Sequence, residues 1–147
     1  MRLGEVMTRH VEVVGANASL QEAAAKMKHL DVGLIPVCEK DELKGTLTDR
    51  DITIRATAEG RDPSNTKVSD IMSEEIAYCF EDQEIEEATR LMEARQIRRL
   101  PILNRKKSLV GIVSLGDLAV HAGQSEQTGE TLKEVSRPAV PRRGKKA

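Results

Sequence analysis

The sequence predicts an α/β fold in which two tandem β-α-β-β-α repeats pack with pseudo-twofold symmetry. The first observation is that the second half of the chain repeats the first, with 65 residues between Pro36 and Pro101 and 66 between Gly45 and Gly111. The second is that the 147 residues contain no Trp, one Tyr and one Phe, so the core must be built from aliphatic side chains. Such a core suits interleaved helices and strands better than an aromatic-rich sandwich.

Four segments recur in the same order in both halves of the chain. They are Val6–Thr8 with Ile71–Ser73, Leu20–Ala24 with Ile85–Thr89, Val32–Val37 with Ile97–Ile102, and Leu43–Ile52 with Leu109–Leu118. The one-residue change in offset falls in two polar loops, Glu39–Glu42 and Asn104–Ser108. An insertion confined to a loop indicates that one structural unit has been duplicated.

Each repeat is predicted to begin with a short strand that leads into an amphipathic helix. The strands are Val11–Val14 and Ile76–Phe80, and the helices begin near Ser19 and Glu84. Ser19 and Glu22 have the spacing of a capping box. Apolar residues at helical spacing form one face of each helix, namely Leu20, Ala23, Ala24 and Met27, and then Ile85, Ala88 and Met92.

A hairpin and a second helix complete each predicted repeat. The hairpin strands are Leu34–Cys38 with Gly45–Thr48, and Leu100–Leu103 with Val110–Val113. A helix then starts after Thr48 and after Ser114, whose hydroxyl groups suit the N-cap position.

The repeats define the predicted domain boundaries. Repeat 1 covers residues 3–62, a linker covers 63–67, and repeat 2 covers 68–123. One unit of this size buries little apolar surface alone, whereas two units can cover each other's sheets. Residues 124–147 form a polar, basic tail that has little to bury and is expected to be disordered.

Composition and charge exclude several classes of function. The net charge of −1 gives no general attraction to nucleic acid or membranes, and no stretch reads as a membrane span or signal peptide. We therefore expect a cytoplasmic protein without nucleic-acid partners. No motif for nucleophilic catalysis or a phosphate-binding loop occurs, and His10, His29 and His121 lie at unrelated repeat positions, so we do not expect an enzyme.

The order of motifs resembles that of the CBS domain, two copies of which form a Bateman module. The resemblance covers residues 3–122 and rests on the hydrophobic-Pro strands and on two Gly-x-x-Thr/Ser-x-x-Asp motifs, which begin at Gly45 and Gly111. Through Gly45–Ile54 the first half is similar to stand-alone bacterial proteins of the hypoxic-response type.

The resemblance implies a regulatory module that binds AMP, ADP, ATP or another adenosyl compound in clefts between the repeats. Asp51 and Asp117 match the family's ribose-binding position, and Thr48 and Ser114 match its ribose or phosphate contact. A carboxylate can accept hydrogen bonds from both ribose hydroxyls at once. Without a ligand, the same acids would simply stabilise the first turn of each helix.

Further residues are assigned to the implied ligand by the same resemblance. Adenine would lie against Val13, Ile35, Pro36, Tyr78, Leu100 and Pro101, and the phosphates against Arg50, Arg98 or Arg99. No additional cofactor is required. The family also implies a homodimer, built here on Ile52, Ile54, Leu118 and Val120, and an effector protein whose identity the sequence does not reveal.

The two cysteines leave a different function open. Cys38 and Cys79 lack the number and spacing of a disulfide framework or a zinc knuckle, which favours buried thiols. With a His from the other repeat or from a second subunit, they would instead make a metal- or redox-responsive protein that binds no nucleotide.

Overall fold

The computed structural model describes residues 1–121 and confirms the mixed α/β architecture. The predicted tail and the last two residues of the predicted second repeat lie outside the described residues. The elements of the first half are α1 (Leu3–Val6), α2 (Leu20–Leu30), β1 (Leu34–Glu39), β2 (Glu42–Thr48) and α3 (Asp49–Asp51), which continues as a π-helix over Ile52–Thr57. Those of the second half are α4 (Val68–Ile71), β3 (Cys79–Phe80), α5 (Ile85–Arg95), β4 (Arg99–Leu103), β5 (Leu109–Ser114) and α6 (Leu115–His121).

The two long helices begin where the sequence predicts. The Ser19 hydroxyl accepts a hydrogen bond from the Glu22 N–H at 3.1 Å, and the Glu22 carboxylate accepts one from the Ser19 N–H at 3.4 Å, which completes the capping box. Both helices end at a left-handed residue, Asp31 in α2 and Gln96 in α5. Their apolar faces are buried in two separate cores.

Both predicted hairpins are present and extend slightly further than expected. Strands β1 and β2 are antiparallel, with Leu34 opposite Thr48. Strands β4 and β5 are also antiparallel, with Arg99 opposite Ser114, and β3 adds to β4 in parallel. The two hairpins occupy equivalent places in two sheets, as the pseudo-twofold arrangement requires.

The entry strands are much shorter than predicted. Of Val11–Val14, only Val14 pairs, in a single parallel bridge with Val37, and Ile76–Phe80 is reduced to β3. The reason is that each segment crosses from one sheet to the other. Thr8 pairs with Ile112 of the second repeat shortly before Val14 pairs within the first, and a chain passing between two sheets cannot follow either ladder.

The start of each repeat packs on the core of the other repeat. Leu3, Val6 and Met7 belong to the core that contains α5, β4 and β5. Val68 and Ile71 belong to the core that contains α2 and β1. Backbone hydrogen bonds follow the same pattern: the Leu3 N–H donates to Gln83 O at 2.9 Å, and the Val68 N–H donates to Ala18 O at 2.9 Å. The sequence boundaries at residues 3 and 68 therefore do not separate the two cores.

The expected dimer interface lies on the final helix of each repeat. Ile54 and Val120 are exposed, at 49% and 77% of their surface, and Ile52 is half-buried. Leu118 is fully buried in the second core, so it is not available to a partner, contrary to our expectation. Within residues 1–121, no helix has the length and apolar character needed to cross a membrane.

Candidate functional site

The two Gly-x-x-Thr/Ser-x-x-Asp motifs form the same local structure. The Thr48 hydroxyl accepts a hydrogen bond from the Asp51 N–H at 3.0 Å, and Asp51 Oδ2 accepts one from the Thr48 N–H at 3.0 Å. Ser114 and Asp117 repeat both bonds, at 3.0 and 2.9 Å. Each hydroxyl therefore caps a helix, and each Asp uses one carboxylate oxygen to do so.

The other carboxylate oxygen of each Asp accepts no hydrogen bond from any part of the chain that the structure describes. Asp51 and Asp117 are both half-buried, and each lines a cavity between the repeats. A fixed, half-buried carboxylate with one oxygen left over is well placed to accept hydrogen bonds from a ligand.

The first cleft is a cavity of about 430 Å³ that contains the motif of the second repeat. Ser114, Asp117 and Ile112 form one wall. The opposite wall comes from the first repeat, through the crossing segment at Thr8, His10, Val11 and Glu12 and through Leu30, Val32, Leu34, Ile35 and Pro36. Arg99 is the remaining lining residue.

The second cleft, of about 230 Å³, reproduces this arrangement with the repeats exchanged. Thr46, Thr48 and Asp51 stand in place of Ile112, Ser114 and Asp117. The opposite wall comes from the second repeat, at Ser73, Glu75, Ala77, Arg95, Ile97, Arg99 and Pro101, and Leu34 completes the lining. Each cleft thus combines the Ser/Thr–Asp motif of one repeat with the hydrophobic-Pro strand of the other.

Several residues assigned to the ligand from the sequence line these clefts. Asp117, Ser114 and Pro36 line the first cleft, together with Ile35, whose surface is only 1% exposed. Asp51, Thr48 and Pro101 line the second cleft. Arg99 lines both clefts.

The remaining assigned residues lie elsewhere. Leu100 is fully buried in the second core, because alternation along β4 turns it away from the side that Arg99 and Pro101 share. Val13 and Tyr78 line two other cavities, which lie at equivalent positions in the two repeats. Arg50 and Arg98 are exposed and line neither cleft.

Among the cleft residues that sequence reasoning missed are Leu34, Leu30 and Arg95, whose places follow from the repeat pattern. Leu34 is the repeat equivalent of Arg99, and both lie two residues before the proline that lines a cleft, so strand alternation predicts that they face the same way. Arg95 and Leu30 are likewise equivalent and end the two long helices. Leu30 lines the first cleft and Arg95 lines the second, which makes the charge of the two clefts unequal.

The cysteines are separated in the structure. Cys38 lies in β1 and Cys79 in β3, which belong to different sheets, and both are buried. Burial raises the pKa of each thiol to about 11. Within residues 1–121, no three His, Cys, Asp or Glu side chains are grouped as metal ligands would be.

Comparison with known families identifies both repeats. The model of the CBS domain matches the chain twice, at residues 3–56 and 68–122, and so covers both halves of each cleft. The chain belongs to the CBS-domain family. CBS-domain pairs are regulatory modules, and this chain is one of them.

Related proteins match most of the length of this chain. The CBS domain-containing protein YhcV of Bacillus subtilis is 48% identical over 132 residues, which cover 90% of this chain and 93% of YhcV. Hypoxic response protein 1 of Mycobacterium tuberculosis is 37% identical over 118 residues, covering 80% of this chain and 82% of that protein.

Solved structures of CBS-domain proteins share the fold. The crystal structure of Hypoxic Response Protein I, described with two coordinated zinc ions, has a TM-score of 0.76 and 36% identity and covers 82% of this chain and 98% of that chain. CBSX2 in complex with AMP has a TM-score of 0.73 over 82% of this chain and 95% of that chain. At 23% identity, the likeness to CBSX2 concerns the fold alone.

Proposed function

We propose that the chain senses adenine nucleotides, binding the ribose of AMP, ADP or ATP through Asp117 in the first cleft and through Asp51 in the second. The observation that carries this proposal is that each half-buried Asp lines a cavity between the repeats with one carboxylate oxygen left unbonded within the described chain. Vicinal hydroxyl groups are suitable donors to such an oxygen.

The walls of the clefts suit the base of a nucleotide. In the first cleft, Val11, Val32 and Pro36 provide apolar surface for a flat ring, and Ala77, Ile97 and Pro101 do so in the second. The volume of the first cleft lies in the range of about 300–1,000 Å³ that is usual for small-molecule sites, whereas the volume of the second falls below this range. We therefore expect the first cleft to accept a nucleotide with less rearrangement.

The complex of CBSX2 with AMP supports the choice of ligand. In that protein the fold that this chain shares binds an adenine nucleotide. The Cys38 and Cys79 thiols take no part in our proposal, and no additional cofactor is needed.

Regulation requires that the nucleotide bind two conformations with different affinity. Because each cleft has walls from both repeats, a ligand held between them would favour one angle between the repeats over others. We propose that an effector protein detects this change, and that a homodimer forms through the exposed Ile54 and Val120 on the final helices. Measuring the molar mass in solution for wild type and for the variant Ile54→Asp/Val120→Asp tests the dimer.

Calorimetric titration of AMP, ADP and ATP tests the proposed ligand. The variants Asp51→Asn and Asp117→Asn retain an oxygen for the Thr48 and Ser114 N–H groups but replace the second acceptor with a donor. Losing a charge-assisted hydrogen bond costs about 1.5–3 kcal/mol, so we expect affinity at the substituted cleft to fall by about tenfold or more.

Asp49→Asn is the matched control for these variants. Asp49 lies in the same helical turn as Asp51 and lines neither cleft, so its substitution should leave nucleotide affinity unchanged. Wild-type protein that binds none of the three nucleotides would contradict the proposal. So would Asp51→Asn and Asp117→Asn variants that bind them as tightly as wild type.

A metal-dependent function is the second candidate, because the related Hypoxic Response Protein I was crystallised with two zinc ions. A metal ion must displace the thiol proton to bind, and the raised pKa of about 11 at Cys38 and Cys79 makes that displacement less favourable at neutral pH. Mass spectrometry of untagged protein for bound zinc distinguishes the two functions. Stoichiometric zinc that is lost in Cys38→Ser or Cys79→Ser would favour the metal-dependent function.

A further inference from the structure

We infer that the single side chain of Arg99 serves both clefts, so that a phosphate bound in one cleft weakens phosphate binding in the other. Arg99 lines the first cleft and the second, although they contain different Ser/Thr–Asp motifs. It is half-buried, and within residues 1–121 its guanidinium group has no hydrogen-bond or ion-pair partner. The inference rests on the proposed function and names how its two sites are coupled.

The position of Arg99 in the sheet explains why it reaches both clefts. Across the β4–β5 hairpin it lies opposite Ser114, whose hydroxyl belongs to the first cleft. Along its own strand it lies two residues before Pro101, which belongs to the second. The repeat equivalent Leu34 has the same two relations, to Thr48 and Pro36, and also lines both clefts, but it carries no charge.

Few other cations are available to a phosphate in these clefts. Among the described lining residues, the first cleft contains no Lys or Arg except Arg99. The second cleft contains Arg95 in addition, where the first has Leu30. A guanidinium group forms its strongest contact as a paired hydrogen bond to one phosphate. Two phosphates therefore compete for Arg99, and their like charges repel each other.

Stepwise calorimetry measures this competition. The variants Asp51→Asn and Asp117→Asn each weaken one cleft by about tenfold or more, so the tighter step of each titration gives the association constant of the other cleft. The overall wild-type constant for two ligands, divided by the product of these two constants, is the coupling factor. We expect this factor to be about 0.1 for AMP, a tenfold weakening, and about 1 for adenosine, which has no phosphate.

Two substitutions change the number of shared cations. Leu34→Arg adds a second guanidinium at the equivalent position, and we expect the AMP coupling factor to rise towards 1. Arg99→Leu, combined in turn with each Asp variant, should remove the preference for AMP over adenosine in the first cleft and reduce it in the second, where Arg95 remains. Arg98→Leu is the control, since this neighbouring Arg lines neither cleft, and its constants should match those of wild type.

The outcomes separate this inference from the proposed function. Wild type that binds neither AMP nor adenosine contradicts the proposed function. Two AMP molecules bound with a coupling factor near 1, or Arg99→Leu affecting only one cleft, overturn the inference and leave the function standing. If Arg99→Leu loses adenosine binding through misfolding, Leu34→Arg still decides, because it changes the number of shared cations without a substitution of Arg99: an AMP coupling factor that stays at the wild-type value overturns the inference.

Discussion

At Gly45 and Gly111, the entry segment of the other repeat packs too closely against the strand to leave room for a side chain. A Cβ atom on Gly45 would lie 2.6 Å from the backbone oxygen of Ser73, which pairs with Thr46 through two hydrogen bonds. A Cβ atom on Gly111 would overlap Met7 Sδ and lie 3.0 Å from Thr8 O. The glycine that opens each Gly-x-x-Thr/Ser-x-x-Asp motif is therefore also the point where the other repeat's entry segment packs.

This geometry predicts an order of stability for alanine substitutions. Gly45→Ala must move backbone, so we expect its free energy of unfolding to fall by about 1–3 kcal/mol. Gly111→Ala mainly displaces the flexible Met7 side chain and should cost less. Gly116→Ala is the control, because its Cβ would have ordinary space, 3.7 Å from Ser114 Oγ, within helix α6.

Urea unfolding followed by circular dichroism checks this order. Gly116→Ala should be neutral or slightly stabilising, since Ala favours a helix over Gly by about 0.5–1 kcal/mol. A Gly45→Ala variant as stable as Gly116→Ala would show that the entry segment does not pack against this strand as the structure has it.

Cleft residues could be predicted from the sequence where the motif itself determines their position. Asp51 and Asp117 follow from the repeat, and the structure places both at clefts. Leu100 and Tyr78 could not be placed in this way. Whether a strand residue faces a cleft or a core depends on the strand's register and on which repeat supplies the opposite wall, and the sequence reveals neither.

Among the elements, the long helices and hairpins were predicted because their patterns extend over many residues. Helix α2 has an apolar face and a capping box, and each of these signals alone would identify it. Helices α1 and α4 have four residues each, which is too short for a periodic pattern. Val11–Val14 has the composition of a strand but crosses between sheets, so composition alone predicted more pairing than it makes.

The capping box of α2 predicts how much Ser19 contributes to the free energy of unfolding. Ser19→Ala removes the acceptor for the Glu22 N–H, and loss of an N-cap costs about 1 kcal/mol of unfolding free energy. Asn17→Ala is the control, because Asn17 is exposed and forms no hydrogen bond among the described residues. Chemical denaturation of both variants measures the difference.

Ser19 lines neither cleft, so nucleotide affinity should be the same in Ser19→Ala as in wild type. Equal stability of Ser19→Ala and Asn17→Ala would contradict the capping role. A separate loss of nucleotide affinity in Ser19→Ala would mean that a change at the start of α2 reaches the first cleft, which Leu30 lines at the other end of the helix.

In the whole molecule, the first residues of each repeat pack in the core of the other repeat, and these contacts hold the two repeats together. Leu3 and Val68, at equivalent positions, are both fully buried in the core of the opposite repeat. Neither core is complete without residues from the other half of the chain. This explains at the level of packing why the repeat occurs as a pair, and it implies that both halves unfold together.

Because each repeat begins in the core of the other, a side chain truncated at the start of one repeat should destabilise the other repeat. Leu3→Ala should destabilise the protein by about 2–5 kcal/mol, as other buried Leu→Ala substitutions do. Although Leu3 belongs to the first half of the sequence, amide hydrogen exchange should accelerate first in β4, β5 and α5, whose core it completes. Val68→Ala is the mirror variant, smaller in effect because fewer carbon atoms are removed than in Leu3→Ala, and it should act first on β1 and α2.

Mass-spectrometric hydrogen exchange at short labelling times, under conditions where both variants remain folded, resolves the two patterns. Faster exchange in β1 and β2 of Leu3→Ala, with β4 and β5 still protected, would mean that each repeat packs on its own beginning. Leu3, Val6 and Met7 pack in the core that contains β4, the strand of Arg99. A disturbance in residues 1–7 therefore reaches β4 without passing through the linker.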